Sequence, residues 1–483
     1  MASSSRDLPQ GLVWDGGAGT PSAVQRLVDD PTAWATGPWP ERLRRRSASL
    51  DPVESLLPQA APDRRDWRDP RVGWGLIVAE PEGYSDAELA AGKDLPEALH
   101  VLLRRRGDGP VLRYRSAFKS SLRLSHLRDW KRGEDVALDQ AREGTGPGEL
   151  PAYLLIVGSP REIPWELQFA LNGIRFVGRL DLDELGLERY VAALLDDWRQ
   201  ADETPQQRIA RARRALIWAV DHGAGDITSL LRQGIALEAH AAIDGDPDLE
   251  VRLLDGRRHE ADDEGLRTAL ERLTPGLVIT TSHGFVEGSG ASLAERLGAP
   301  VDQDFRPLDI DALSTVWQPR GAVWYAHACC SAGTCGGGFY QDLFDSNTEI
   351  AQSLQILEEL GPFQAALPRA LLSAWNPARA FIGQVEPTFD WTLRHPETRR
   401  RLTGVLVDAL TQSFYRPEEN VGYGLRNWFR QVGYFYSSWE KARAEATYGE
   451  MDASTLLYLR LAARDVQSTV LLGDPTVRLP VTG

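Results

Sequence analysis

Two short segments of this sequence carry residue types that can act together in nucleophilic catalysis. His283 lies in one segment, and Cys329 lies in the other, 46 residues further along the chain. Each segment directly follows an apolar run, at residues 277–280 and 322–326, which predicts a buried strand. Because the carboxyl ends of parallel strands meet at one edge of a sheet, we expect both side chains at that edge. The pair would then supply a thiol nucleophile and an imidazole base.

Thiol chemistry at this edge would need help from neighbouring groups, since a free thiol with a pKa of about 8.5 is mostly protonated at neutral pH. His283 can accept that proton and later protonate the leaving amine of a cleaved peptide. Gly284 lacks a Cβ atom, so its N–H can approach a substrate carbonyl. We therefore predict an oxyanion hole formed by the N–H groups of Gly284 and Cys329.

Cys330 is the alternative nucleophile, because it adjoins Cys329. Successive side chains along a strand point to opposite faces, so only one of the two thiols is expected to face His283. The pairing of Cys329 with the preceding Ala328 favours Cys329.

The same region holds several side chains of the types that bind zinc. They are His283, His327, Cys329, Cys330 and Cys335. Structural zinc sites usually combine two closely spaced pairs of ligands, whereas this region offers a single gap from Cys330 to Cys335. We predict no metal and no cofactor, and a structural zinc site at these cysteines is kept as an alternative.

Composition limits the classes of protein to be considered. The 483 residues carry a formal net charge of -15, which argues against a general binder of nucleic acids or membrane surfaces. All three cysteines lie between positions 329 and 335, so a disulfide framework is not expected, and a reducing compartment, the cytoplasm, is. The sequence has no secretory-signal pattern and no apolar run of about 18 residues. We therefore expect no membrane contact and no direct nucleic-acid contact.

Sequence patterns divide the chain into three parts. Residues 1–70 form an N-terminal extension rich in Pro, Arg, Asp and Trp. Residues 71–205 form a first α/β unit, which ends in a polar, Pro-containing stretch that suits a boundary. Residues 206–483 alternate strand and helix patterns, including a helix over residues 363–375, and this order predicts a parallel sheet with right-handed crossovers. The predicted fold class is α/β.

Several motifs together resemble the CHAT family of caspase-like peptidases and, more distantly, gingipains and separases. The matching segments are residues 282–284, 328–333, 367–372, 381–385 and 472–475, so the resemblance spans about residues 210–483. The spacing from His283 to Cys329 is also close to the roughly 50 residues found in caspases. The resemblance implies a caspase-like parallel-sheet sandwich preceded by a non-catalytic α/β subdomain. Cys330 also fits the Cys-x-x-Gly pattern of the wider clan, which keeps it open as the nucleophile.

The function that this resemblance implies is cleavage of protein substrates by a cysteine endopeptidase with a Cys329/His283 dyad and no metal. Family members often serve bacterial defence or cell-death pathways inside the cell, and an activating protein partner switches them on. The alternative is a catalytically silent scaffold of caspase-like fold.

Substrate choice depends on acidic candidates for the primary pocket. Asp221 follows the predicted strand at residues 215–220, and the resemblance suggests that the end of this strand helps to line the pocket for the residue before the cleaved bond. An acidic group there would favour Arg or Lys. Asp342 and Asp345 are alternative pocket acids. The alternative role of Asp221 is to cap a turn with the following residues, 222 and 223.

Overall fold

A mostly parallel sheet of twelve strands forms the centre of this protein. The computed structural model describes residues 61–115, 125–287, 290–336, 349–389, 393–395, 398, 400–447 and 453–480. Most of the predicted N-terminal extension, residues 1–60, lies outside these ranges, as do the predicted pocket acids Asp342 and Asp345. The predicted α/β class is confirmed, and the sheet is large and mostly parallel.

Short runs of residues, mostly apolar, form the strands. In chain order these are β1 (Trp74–Ala79), β2 (Val111–Tyr114), β3 (His126–Asp129), β4 (Glu134–Ala137), β5 (Tyr153–Val157), β6 (Phe176–Leu180), β7 (Arg214–Ala219), β8 (Glu250–Asp255), β9 (Leu277–Thr281), β10 (His283–Gly284), β11 (Pro300–Val301), β12 (Val323–His327), β13 (Gly333–Cys335), β14 (Pro362–Gln364), β15 (Ala380–Gln384) and β16 (Thr469–Gly473).

Helices connect the strands and cover the sheet. The α-helices of the described residues are α1 (Asp86–Ala90), α2 (Glu97–Arg105), α3 (Trp165–Asn172), α4 (Glu184–Leu195), α5 (Pro205–Ala212), α6 (Ile227–Leu231), α7 (Leu237–Ile243), α8 (Asp263–Leu273), α9 (Gly290–Ala294), α10 (Ile310–Val316), α11 (Glu349–Leu360), α12 (Ala366–Ser373), α13 (Gly404–Thr411), α14 (Val421–Gly424), α15 (Arg426–Thr447) and α16 (Ala453–Ser468). A π-helical segment, Arg232–Ala236, joins α6 to α7. No helix of the described residues is long and apolar enough to cross a bilayer.

The second half of the sheet has the strand order β8-β7-β9-β12-β15, followed by β16. Neighbours from β8 to β15 pair in parallel, and β16 runs antiparallel to β15. Numbered along the chain, these strands have the 2-1-3-4-5 order of a doubly wound sheet. The strand order reverses between β7 and β9, and ligands of such sheets bind outside the carboxyl ends of the strands at that switch point.

Strand β16 also joins the second half of the sheet to the first, because it pairs in parallel with β6. The first half has the order β4-β3-β2-β1-β5-β6, with β3 and β4 added antiparallel at its edge. Strands from both sides of the predicted boundary at residue 205 therefore belong to one sheet.

Both faces of the central strands are covered, which explains why their sequences are almost entirely apolar. Every residue of β9, β12, β15 and β16 is buried. The indole N–H of Trp324 in β12 donates a hydrogen bond to the hydroxyl of Thr280 in β9 over 3.0 Å. This buried bond ties two neighbouring strands together, so the loops at their carboxyl ends start from fixed positions.

The helix predicted over residues 363–375 is wrong at its beginning. Residues Pro362–Gln364 form β14, which pairs antiparallel with β13, and helix α12 begins at Ala366. Strand β13 lies directly after residues 328–332, which we call the cysteine segment. Its pairing with β14 therefore fixes the position of the chain where this segment ends.

Candidate active site

Three neighbouring strands end at the same edge of the sheet, and their loops carry the residues that could do chemistry. In the sheet register, Thr281 at the end of β9 lies between Ala219 at the end of β7 and His327 at the end of β12. His283 therefore follows the middle strand, and Cys329 follows its neighbour. The switch point of the doubly wound half, between β7 and β9, lies at this edge.

The backbone of Gly284 lies directly against the backbone of Cys329. A Cβ atom added to Gly284 would be 1.9 Å from the carbonyl oxygen of Cys329, a distance that no side chain can adopt. A Cβ on Gly298 would meet the carbonyl oxygen of Cys330 at the same distance. Two glycines thus let the β10–β11 hairpin pack onto the cysteine segment, and the predicted His283–Gly284 and Cys329 segments are in contact.

Buried hydrogen bonds hold the cysteine segment in a tight turn. The Ser331 hydroxyl donates to the carbonyl of Ala326 over 3.0 Å and accepts from the N–H of Gln384 over 3.0 Å. Cys330 has a positive φ of 56°, and its N–H donates to the carbonyl of Glu386 over 3.2 Å. The turn therefore runs alongside the segment that follows β15.

The two adjacent cysteines have different surroundings. The Cys330 side chain is fully buried in a small apolar cluster with Leu293, Leu297 and Leu357. Cys329 is half-buried, and its sulfur accepts a hydrogen bond from the N–H of Thr388 over 3.4 Å. Of the two, Cys329 is the thiol that is partly exposed to solvent.

Burial raises the pKa of the Cys329 thiol, although hydrogen bonds from Thr388 oppose the shift. Burial also raises the pKa of Cys330 and that of Cys335 well above the ordinary thiol value. The Cys335 sulfur accepts a hydrogen bond from Arg464 over 3.7 Å. In this arrangement Cys329 is a protonated thiol at neutral pH.

Asp226, which was not predicted from the sequence, holds the ring of His283. The Nε2 atom of His283 lies 3.0 Å from the Asp226 carboxylate. Asp226 is also the N-cap of α6, where its Oδ1 accepts the N–H of Thr228 over 2.8 Å and the hydroxyl of Thr228 over 2.5 Å. Partial burial acts to raise the pKa of Asp226, but these bonds and that from His283 hold it below its usual value. Since an ionised carboxylate only accepts hydrogen bonds, His283 carries its proton on Nε2, and Nδ1 is left as an acceptor.

His222 is a second neighbour of His283 that was not predicted as a site residue. Its ring stacks on that of His283 with centroids 5.5 Å apart, and on that of Phe305 at 3.8 Å. The Nε2 atom of His222 lies 2.9 Å from the backbone carbonyl of Asp302. The loop after β7 therefore contributes both an acid and a second imidazole to the site.

Asp221 reaches the same edge, but its carboxylate is buried and already paired. It accepts hydrogen bonds from Arg257 over 2.7 Å and from the hydroxyl of Ser229 over 2.5 Å. Burial acts to raise the pKa of Asp221, and the hydrogen bonds outweigh it and lower the pKa. Asp221 also accepts the N–H of Gly223 over 3.0 Å, which is the turn cap predicted as its alternative role. A basic substrate side chain would have to compete with Arg257, so the pocket role of Asp221 stays a prediction.

The residues considered for a structural zinc site do not converge in the described part of the chain. His327 is fully buried, its Nδ1 lies 2.6 Å from the Tyr325 hydroxyl, and burial lowers its pKa to about 4. Among the described residues, the one group of three or more metal-ligand side chains close together consists of His222, Asp226 and His283, without a cysteine.

The sequence matches no known protein-family model, and no curated protein matches it. A functional assignment therefore rests on the geometry of the site.

Proposed function

We propose that this protein is a cysteine endopeptidase of caspase-like fold, with Cys329 as the nucleophile and His283 as the base. The observation that carries the proposal is the contact between Gly284 and Cys329 at the carboxyl-end edge of the sheet, with the His283 ring, next to Gly284 in the sequence, held by Asp226. The resemblance to CHAT peptidases supports the same assignment. On this proposal the substrates are proteins, the protein acts in the cytoplasm in a defence or cell-death pathway, and a protein partner activates it.

The first chemical step joins the Cys329 sulfur to the carbonyl carbon of the scissile peptide bond. The thiol proton passes to Nδ1 of His283, and the Asp226 carboxylate stabilises the imidazolium that forms. His283 then gives this proton to the leaving amine as the C–N bond breaks. In the second step His283 takes a proton from water, and the water oxygen attacks the thioester carbon. The C–S bond then breaks, the acid product leaves, and His283 returns the proton to the Cys329 sulfur.

The hairpin geometry supports Gly284 as an oxyanion-hole donor. The N–H of Phe285 donates to the carbonyl of Ala299 over 2.9 Å, so the adjacent pair of the hairpin, Gly284 and Pro300, is a non-hydrogen-bonded pair. The Gly284 N–H therefore points away from β11. Together with the N–H of Cys329, it would stabilise the negative oxygen that forms on attack, and loss of one such donor typically costs about 3 kcal/mol of barrier.

The decisive experiment compares the two adjacent cysteines. Cys329→Ala should abolish cleavage in a peptide-library assay, whereas Cys330→Ala is the matched control and should keep most of the activity, because its side chain only fills an apolar cluster. His283→Ala should lose several orders of magnitude, since removal of either member of a cooperating pair is severe. Equal losses in the two cysteine variants, or full activity in Cys329→Ala, would sink the assignment.

A catalytically silent scaffold is the second candidate, and the raised pKa of Cys329 favours it. The two functions differ in the behaviour of a peptidyl electrophile. A peptidase should be labelled stoichiometrically at Cys329 and lose its label in the Cys329→Ala variant. A scaffold, which holds no activated thiol in a peptide-binding cleft, should stay unlabelled.

A further inference from the structure

Three side chains at the switch point present metal-ligand atoms to one another. One ligand atom each of His222, Asp226 and His283 lies within 4.8 Å of the other two. His222 and Asp226 come from the loop after β7, and His283 comes from the end of β9. Because the two strands are neighbours in the sheet, the positions of these ligands are fixed by the sheet.

The tautomer of His222 leaves one nitrogen free for an ion. A backbone carbonyl can only accept a hydrogen bond, so the Nε2 of His222 must carry the proton that it donates to Asp302. Its Nδ1 atom is therefore an acceptor, and this atom is buried without a hydrogen-bond partner among the described residues. A backbone carbonyl that fixes the remote nitrogen is the usual support of a histidine that ligates a metal.

Asp226 has one oxygen to spare. Its Oδ1 accepts both hydrogen bonds from Thr228 and lies 3.1 Å from Nε2 of His283, whereas its Oδ2 contacts only that nitrogen, over 3.0 Å. An ion between Oδ2, Nε2 of His283 and Nδ1 of His222 would replace both contacts of the carboxylate with Nε2 and leave the hydrogen bonds from Thr228 to Oδ1, and so the helix cap, intact. Two imidazoles and one carboxylate suit Zn²⁺, while Mg²⁺ and Ca²⁺ prefer oxygen ligands throughout.

We propose that His222, Asp226 and His283 form an inhibitory site for a divalent transition-metal ion, with Zn²⁺ as the preferred ion. The inhibitory role rests on the proposed peptidase function. An ion on Nε2 of His283 displaces the proton from that nitrogen, and the proton moves through solvent to Nδ1, so the ring stays neutral. Its Nδ1 can then no longer accept the thiol proton of Cys329, and the first step of cleavage is blocked.

Binding is tested on the full chain, freed of metal by chelation and dialysis. Titration with Co²⁺, monitored by the visible absorption bands of the bound ion, should show binding of one Co²⁺ per chain. Added Zn²⁺ should displace this Co²⁺. His222→Gln and Asp226→Asn should each weaken the affinity by at least about tenfold, whereas Cys329→Ala should leave it unchanged. His240→Gln is the matched control, because His240 also lies near an aspartate, Asp244, but belongs to no group of three ligands among the described residues. Absence of Co²⁺ binding, or binding that His222→Gln leaves unchanged, would overturn the site.

Inhibition is tested separately, with each variant compared to its own metal-free cleavage rate. Zn²⁺ at saturation should remove most of the wild-type activity, and His222→Gln should need at least about tenfold more Zn²⁺ for the same loss. Full activity of the wild-type protein with the site saturated would overturn the inhibitory role. If the protein binds one Co²⁺ through His222 but cleaves no peptide, this result would contradict the peptidase function and still support the metal site.

Discussion

Asp226 determines which nitrogen of His283 carries a proton. The carboxylate contacts Nε2, so the neutral ring keeps its lone pair on Nδ1, where a thiol proton can be accepted. The same carboxylate caps α6 through Thr228. One side chain therefore fixes both the loop after β7 and the tautomer of the His283 ring.

Replacement of Asp226 by Asn should lower kcat/KM by about 10²- to 10⁴-fold, because the amide can stabilise neither the correct tautomer nor the imidazolium. Measurement of kcat/KM as a function of pH would test this, because the pH dependence of Asp226→Asn should differ from that of the wild-type protein. Asp309→Asn is the matched control, since Asp309 caps α10 in the same way but forms no hydrogen bond or ion pair with His283 or Cys329 in the described part of the chain. If both variants lost the same activity, the effect of Asp226→Asn would be explained by the loss of a helix cap and not by the contact with His283.

The protonated thiol of Cys329 gives a second test at this scale. Because burial raises the pKa of Cys329, the thiolate fraction of the unliganded protein at pH 7 should be smaller than that of a free thiol. Alkylation by iodoacetamide should therefore be slow at pH 7 and accelerate as pH rises beyond 9. Rates are measured by mass spectrometry of the peptide that contains Cys329, with Cys329→Ala as the control. Fast alkylation that does not change between pH 6 and 8 would instead indicate a preformed thiolate–imidazolium pair.

The β10–β11 hairpin is the element that completes the site. Gly284 packs on Cys329, and Gly298 packs on Cys330, so the hairpin follows the shape of the cysteine turn. Hairpin and turn must therefore move together.

Gly284→Ala should displace the hairpin, because its Cβ would lie 1.9 Å from the Cys329 carbonyl oxygen. A displacement of about 1 Å can cost about 10²-fold in rate, and we expect at least that loss in kcat/KM with the protein still folded. Circular dichroism checks the fold beside the activity assay. Gly433→Ala is the control, because nothing lies within 4 Å of its added Cβ. Near-normal activity of Gly284→Ala would show that the N–H of Gly284 does not contribute to the oxyanion hole.

The sequence predicted the strands that carry this site better than it predicted the contacts between side chains of different loops. Apolar runs at residues 277–280 and 322–326 indicated two buried strands, and the rule for parallel sheets was enough to expect Gly284 and Cys329 at one edge. The contact from Asp226 to His283 could not be predicted, because it joins residues 57 positions apart and depends on β7 lying beside β9. An Asp two positions before Thr228 signals only a helix cap. Likewise, the neutralisation of Asp221 by Arg257 depends on how the loops after β7 and β8 meet.

At the scale of the whole molecule, β16 and the turn after it connect the two halves of the sheet. Tyr190 of α4 donates its hydroxyl to the carbonyl of Arg379 over 2.6 Å and accepts the N–H of Asp474 over 2.8 Å. Asp474 itself is fully buried and pairs with Arg106 of the first half over 3.3 Å. The C-terminal turn is therefore part of the core of the first half.

Loss of Asp474 should thus affect both halves of the sheet together. Asp474→Ala would leave the guanidinium of Arg106, nearly fully buried, without its carboxylate, and the indole N–H of Trp74, which donates to Asp474 over 3.1 Å, without its acceptor. Removing one partner of a buried pair typically costs about 3–5 kcal/mol in the free energy of unfolding.

Urea unfolding followed by tryptophan fluorescence and by far-ultraviolet circular dichroism should show this loss, with the same midpoint for both signals, because one sheet spans both halves. Glu97→Ala, which removes an exposed ion pair with Arg104, is the control and should leave the unfolding midpoint nearly unchanged, because solvent screens such a pair. Two separate transitions, of which only one shifts in Asp474→Ala, would show instead that the halves on either side of residue 205 unfold independently.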